Sequence, residues 1–241
     1  MERKILMRIL AVMCHPDDME LCCGGTLIKY KKQGNEVFVC HVANGNMGHV
    51  EIMPEELREI RAKEAKKSCD MAGFRLISAD IGDLTVNSGS EEQLSKMIAI
   101  IRYAKPDVII THSPNDYCSD HVETSKLVFK ASFDASCPHF MPHLGEATEV
   151  TPIYYSDTDS GMNFIPTEYV DITDEMELKE KMLSCHESQA TWLKDHDGID
   201  VVEEQRKLAA LRGTQCGVKY AEGFTPLIAS QRMRPYRVLP Q

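Results

Sequence analysis

Apolar and polar positions along the chain switch repeatedly between a two-residue and a helical period. Residues 5–13 form a short, nearly continuous apolar run of the kind a strand covered on both faces requires. Gly24-Gly25-Thr26 then opens an amphipathic stretch over 27–33, which Gly34-Asn35 closes as a helix stop. Residues 36–42 return to a β-rich pattern ending at Ala43-Asn44-Gly45. Over 54–71, Leu57, Ile60, Ala65 and Met71 recur among many charged residues, which predicts a surface helix with Pro54 in its first turn and Gly73 as its stop. A short strand follows over 75–81. The capping-box pattern Ser90-Glu91-Glu92-Gln93 then starts a helix running to Ala104. Pro106 separates that helix from the buried-strand run Val108-Ile109-Ile110-Thr111, and 122–135 reads as the next helix. Residues 136–173, punctuated by prolines and aromatic residues, read as loops and short strands near a site. A last helix spans 175 to about 194, ahead of a mixed tail.

Strands alternating with helices at this spacing predict an α/β fold with an open, mainly parallel sheet. No repeat, low-complexity tract or linker interrupts it, so 1–241 reads as a single domain. Ligand sites on such sheets lie beyond the carboxyl ends of the strands. Two polar clusters stand there: Cys14-His15-Pro16-Asp17-Asp18-Met19-Glu20 after the first run, and the stretch from His112 to His121 after the Val108 run. Taken singly, each has the composition of an ordinary turn. Together they place imidazoles and carboxylates suited to a catalytic divalent metal, which typically keeps three protein ligands and one open position. His15, Asp18 and His121 supply three ligands from two loops. The rigid Pro16 turn splays the adjacent carboxylates, leaving Asp17 as general base.

Charge and composition narrow the reading further. A net charge of −10 argues against non-specific nucleic-acid binding. No stretch reaches the apolar length of a membrane span, and 1–13 leads straight into the His15 motif as a strand rather than a signal peptide. The nine cysteines are scattered without a Cys-x-x-Cys pair, which points to reduced thiols and a cytoplasmic protein. No Gly-x-Gly-x-x-Gly or Walker pattern supports nucleotide binding.

The run from Ala11 to Glu20 followed by Gly24-Gly25-Thr26 resembles the opening signature of the LmbE-like (PIG-L) deacetylase family. Pro114-Asn115-Asp116-Tyr117-Cys118-Ser119-Asp120-His121 resembles its second. Further matches are Asn44-Gly45, Arg61-Ala62-Lys63-Glu64-Ala65, His186-Glu187-Ser188-Gln189 and Tyr220-Ala221-Glu222-Gly223-Phe224. The resemblance implies a Rossmann-like three-layer fold and a zinc-dependent hydrolase that removes the N-acetyl group of an amino sugar such as an N-acetylglucosaminide conjugate. It implies metal ligation by His15, Asp18 and His121, Asp17 as base, Asp120 as a catalytic carboxylate that orients a histidine, and substrate contacts from Arg61, Asn44 and His186. The same ligands also accept Fe2+ or Co2+. A homo-oligomer is expected, because the family often forms one.

One departure stands out. Many family members carry a histidine at the position of Cys118, where it stabilises the oxyanion or protonates the leaving amine. A neutral thiol cannot reproduce an imidazolium. His112, Tyr117 and His186 are the candidate replacements, and Cys118 as a fourth metal ligand would close the open position. The alternatives are a metal-binding homologue with impaired turnover and an amidohydrolase acting on a non-sugar N-acyl substrate. Arg61 also has an ordinary role open to it, as the i,i+3 partner of Glu64 on a solvated helix face.

Overall fold

The computed structural model describes residues 6–241; Ile5, the expected start of the first strand, lies outside them. In chain order the elements are β1 (Arg8–Met13), α1 (Asp18–Cys22), α2 (Gly24–Lys32), β2 (Glu36–Ala43), α3 (Pro54–Ala72), β3 (Arg75–Ile81), α4 (Glu91–Ala104), β4 (Val108–Thr111) and α5 (Ser119–Asp134). There follow β5 (Ile153–Ser156), β6 (Glu168–Asp171), α6 (Met176–Leu183), α7 (Glu187–Trp192), α8 (Val201–Cys216) and β7 (Ala221–Pro226). The sheet order is β3-β2-β1-β4-β5-β7-β6. The first five strands are parallel, and β7 runs antiparallel to both β5 and β6.

Both faces of β1 are buried, as its unbroken apolar run requires. Ile9, Ala11 and Met13 join a core with α1, α2, α6 and α8, whereas Leu10 and Val12 join one with α4 and α5. These two cores on opposite faces of one sheet make a three-layer α/β architecture. Beyond β1 the chain winds outward to β2 and β3, then crosses back to β4. The crevice between the ends of β1 and β4 is therefore the switch point where open α/β sheets bind ligands. A bond from the Cys14 N–H to His112 Nε2 (2.9 Å) ties those two ends together.

Several boundaries differ from the expectation. The helix expected over 175–194 breaks at Ser184–His186 into α6 and α7, and a turn of π-helix, Leu193–Asp197, continues α7. Residues 136–173 hold β5 and β6, two full members of the sheet. The tail contains α8 and β7. The inward side of α8 consists of Gln205, Ala209, Arg212 and Gly213, so no apolar periodicity announces it.

The two family-like tail and glycine motifs meet. Glu222 of β7 accepts the N–H groups of Gly25 (2.9 Å) and Thr26 (2.8 Å) at the start of α2. Its Oε1 also accepts from the buried Lys179 ammonium at 2.7 Å. A carboxylate on free N–H groups at a helix N-terminus is doubly favoured, by hydrogen bonding and by the helix dipole. Gly25 cannot carry a side chain, because a Cβ there would fall 2.8 Å from Ile172.

Candidate metal centre and catalytic cleft

The loop after β1 turns through Pro16 into Asp17, whose φ of 106° is a strained value for a residue with a Cβ. That conformation, rather than the proline alone, sends the neighbouring carboxylates apart. Asp18 turns toward His15 and the loop after β4, while Asp17 turns toward α3. His121 arrives from the first turn of α5.

Three donor atoms converge. His15 Nδ1 lies 3.4 Å from Asp18 Oδ2, His121 Nε2 lies 3.3 Å from the same oxygen, and the two imidazole nitrogens are 3.3 Å apart. Zinc bonds of about 2.0–2.1 Å set tetrahedrally place their ligand atoms roughly 3.3–3.4 Å from one another. The residues present therefore fit a divalent ion with one or more open positions. Two other donor sets are close: Cys14, His15 and Asp18, and Asp18, His112 and His121. Burial keeps the Cys14 thiol protonated by pushing its pKa up. The Nε2 lone pair of His112 is already taken by the Cys14 N–H. Neither is as apt a third ligand.

His15 and His121 each have a carboxylate on the nitrogen that faces away from the convergence point. His121 Nδ1 is 3.1 Å from Asp116 Oδ2, and His15 Nε2 is 3.5 Å from Asp120 Oδ2. Such partners fix the tautomer and orientation of a metal-ligating imidazole. Burial disfavours the His121 cation, but Asp18 and Asp116 outweigh it and its pKa is raised. Burial alone would raise the pKa of Asp18, yet the His121 and His15 charges hold it well below the usual carboxylate range. Asp116 carried no role in the sequence reading. Its signal was its position in the same short cluster, five residues before His121.

Asp17 lies under Arg61, which donates to its Oδ2 at 3.0 Å. Arg61 is buried and also donates to the carbonyls of Pro16 and Gly45. Gly45, with φ 77°, makes room for it: a Cβ there would lie 2.6–2.8 Å from the end of the Arg61 side chain. Arg61 is thus no partner of Glu64, which instead binds Ser188. Its Nη1 and Nη2 groups are engaged by protein, its buried Nε has no partner among the described residues, and its side chain lines the cleft beside Asp17. Burial raises the pKa of Asp17 and Arg61 lowers it, with a net upward direction.

A cleft of about 410 Å³ collects His15, Asp17, Asp18, Arg61, Asp120 and His121 with Tyr117 and Cys118. Two expected contact residues stand outside its lining. Asn44 donates to Asp80 (3.0 Å) and accepts the Asn46 N–H, which holds the turn after β2. His186 is buried, with Nε2 3.1 Å from Glu20 Oε1 at the break between α6 and α7. Asp120 reaches His15 and the Leu84 N–H (2.7 Å), so it positions a ligand rather than a histidine at position 118. Of the candidate replacements for that histidine, only Tyr117 lines the cleft.

The family model described as PIG-L, GlcNAc-PI de-N-acetylase, matches residues 10–132, which span both loops of this site. The chain belongs to this family of deacetylases. It is 28% identical over 233 residues to diacetylchitobiose deacetylase of Thermococcus kodakarensis, covering 90% of this chain and 82% of that protein. It is 25% identical over 180 residues to the 1D-myo-inositol 2-acetamido-2-deoxy-alpha-D-glucopyranoside deacetylase of Geodermatophilus obscurus, covering 61% of this chain and 60% of that one. Among solved structures, N,N'-diacetylchitobiose deacetylase of Pyrococcus horikoshii superposes with a TM-score of 0.80 at 27% identity, covering 93% of this chain and 85% of that one. A 4-carboxy-2-hydroxymuconate hydratase from Pseudomonas putida gives 0.81 at 21% identity, covering 97% of this chain and all of that one. The second likeness is one of fold alone, and it shows that this backbone also carries another chemistry.

Proposed function

We propose that this protein is a metal-dependent N-deacetylase that hydrolyses the acetamide of an amino sugar such as an N-acetylglucosaminide conjugate. The observation that carries the reading is the triangle of His15 Nδ1, Asp18 Oδ2 and His121 Nε2 with 3.3–3.4 Å edges. These residues would hold zinc, and the same donor set accepts Fe2+ or Co2+. When bound, such an ion supplies Lewis acidity toward an amide carbonyl and lowers the pKa of water.

The chain's own groups do the rest. Asp17, with its pKa raised, is the better proton acceptor for it and takes the proton of the attacking water. Arg61 holds that carboxylate in place through its 3.0 Å bond. As the tetrahedral centre collapses, Asp17 returns the proton to the sugar nitrogen, which leaves as the amine while the C–N bond breaks. Tyr117 lines the same cleft and stays a neutral donor, because burial raises its pKa. Asp116 and Asp120 orient the two imidazoles.

All nine cysteines are unpaired, and among the described residues no helix is long and apolar enough to cross a membrane. The unpaired thiols support a cytoplasmic setting, and the match to a deacetylase over 90% of the chain supports 1–241 as a single deacetylase domain. The assembly expected of it is a homo-oligomer.

The test pairs metal analysis with acetate release. About one divalent ion per chain, lost in His121→Ala, with acetate released from N-acetylglucosamine glycosides, is the expected result. A wild-type protein that stays metal-free after zinc is supplied overturns it. Cys118 supports a second reading, a retained metal site with slow turnover, because a thiol occupies the cleft at the position expected to carry histidine. A large rate gain in Cys118→His favours that reading, and an unchanged rate assigns proton donation to another group.

A further inference from the structure

The catalytic cleft opens into a second hollow. Leu21, Tyr117, Asp159 and Leu193 line both the cleft and a groove of about 530 Å³ that runs away from His121 along α8. Each compartment has the size of a small-molecule site, roughly 300–1,000 Å³. An acetamide needs only the first.

Apolar side chains supply half of the groove's lining, beside Tyr117, Asp159, Ser160, Glu204, Gln205 and Lys207, because of how α8 is set. Facing the protein are Gln205, Ala209 and Arg212, at 3%, 2% and 5% exposure. Arg212 is tied to Asp157 at 2.6 Å and Gln205 donates to the Asp159 carbonyl at 3.0 Å. Facing the groove are Val201 and Leu208, half-buried, and Leu211, 53% exposed, with Ile199 (42% exposed) just before the helix. The helix thus turns Gln205 and Arg212 to internal partners and leaves Val201, Leu208 and Leu211 open beside the Glu204–Lys207 ion pair, so apolar surface stays exposed there unless an apolar group covers it. Because the groove shares a wall with the reaction site, a molecule held at His121 reaches it without a break.

We propose that the substrate carries an extended apolar chain on its amino sugar, seated in the groove between Leu193 and α8. This rests on the deacetylase reading and narrows it to alkyl- or aryl-bearing amino sugars. Such a chain enters either as the glycosidic aglycone or as the N-acyl group, and the two are separable by substrate.

The probes are the methyl and hexyl glycosides of N-acetylglucosamine, and the methyl glycoside of N-hexanoylglucosamine. A fully buried methylene is worth about fourfold in affinity, so one in a half-open groove is worth roughly twofold. The five extra methylenes of the hexyl glycoside then raise kcat/KM about 30-fold if the aglycone fills the groove. The four extra of the hexanoyl amide raise it about 16-fold if the acyl chain does. Leu211→Glu brings either ratio to near one. Calorimetric titration with each probe reports binding without turnover. Tighter binding of the hexyl than of the methyl glucosaminide, even with no hydrolysis of any probe, keeps the groove and defeats the deacetylase reading instead. Equal binding and equal turnover across chain lengths overturns the groove proposal. So does a Leu211→Glu variant that changes only the sedimentation of the protein, which assigns the groove to a second copy of the chain.

Discussion

Asp116→Asn isolates one atom of the metal centre. The substitution is nearly isosteric at a carboxylate whose side chain is 1% exposed, so it opens no cavity. Asp116 makes two contacts: Oδ1 accepts the Cys118 N–H at 2.9 Å, and Oδ2 faces His121 Nδ1 at 3.1 Å. In the asparagine, the amide oxygen keeps the Cys118 N–H and the NH2 group is left facing His121. An NH2 donor cannot face an Nδ1–H. The imidazole then either loses that partner or moves its proton to Nε2, and Nε2 is the atom that stands 3.3 Å from both His15 Nδ1 and Asp18 Oδ2. A protonated Nε2 has no lone pair for a metal.

Loss of such a carboxylate partner costs about 10–100-fold in metal affinity, or roughly 1.4–2.7 kcal/mol. The assay is zinc titration against a chelator of known affinity, with the thermal midpoint of the metal-free variant as a control for folding. Asp120→Asn is the internal comparison. Its contact with His15 is longer, 3.5 Å, and its Oδ2 is shared with the Leu84 N–H, so its loss is expected to be the smaller of the two. Wild-type zinc affinity in Asp116→Asn would falsify the assignment of His121 Nε2 as a ligand atom.

Other consequences are equally direct. In Arg61→Gln, the lowering influence on Asp17 disappears while burial remains. The acid limb of kcat/KM then moves to higher pH, and a limb that stays put removes Asp17 from the role of base. Metal binding should release protons near neutral pH and tighten as pH rises. Burial opposes the His15 and His121 cations, but their neighbours raise both pKa values, so an incoming metal displaces protons; calorimetry in buffers of different ionisation enthalpy that finds none released contradicts this. Glu222→Gln strands the Lys179 ammonium, which is 2% exposed, and should cost about 3–5 kcal/mol, or roughly 6–20 °C in Tm. Lys179→Met leaves Glu222 its two backbone donors and should cost less; the reverse order in thermal melts shows that α2 is not held by that carboxylate.

What could be read before folding, and what could not, follows from where each signal resides. The strands of the parallel half announced themselves because burial on both faces leaves a continuous apolar run, as in β1 and β4. The candidate metal-binding residues did so because imidazoles and carboxylates stand together at the ends of two strands. Arg61 was visible as a residue but not in its role. Its partner Asp17 is 44 positions away, and no helix-face pattern distinguishes a guanidinium turned inward from one in solvent. Asn44 and His186 show the converse. Each sits in a family-like motif, yet one holds a turn through Asp80 and the other fills a helix break against Glu20. A motif therefore marks a local geometry as readily as it marks a ligand contact. The same reasoning explains α8, whose inward side is Gln205, Ala209 and Arg212. A helix anchored by buried polar pairs hides its periodicity, and that anchoring is what frees Val201, Leu208 and Leu211 to line a groove beside the metal site.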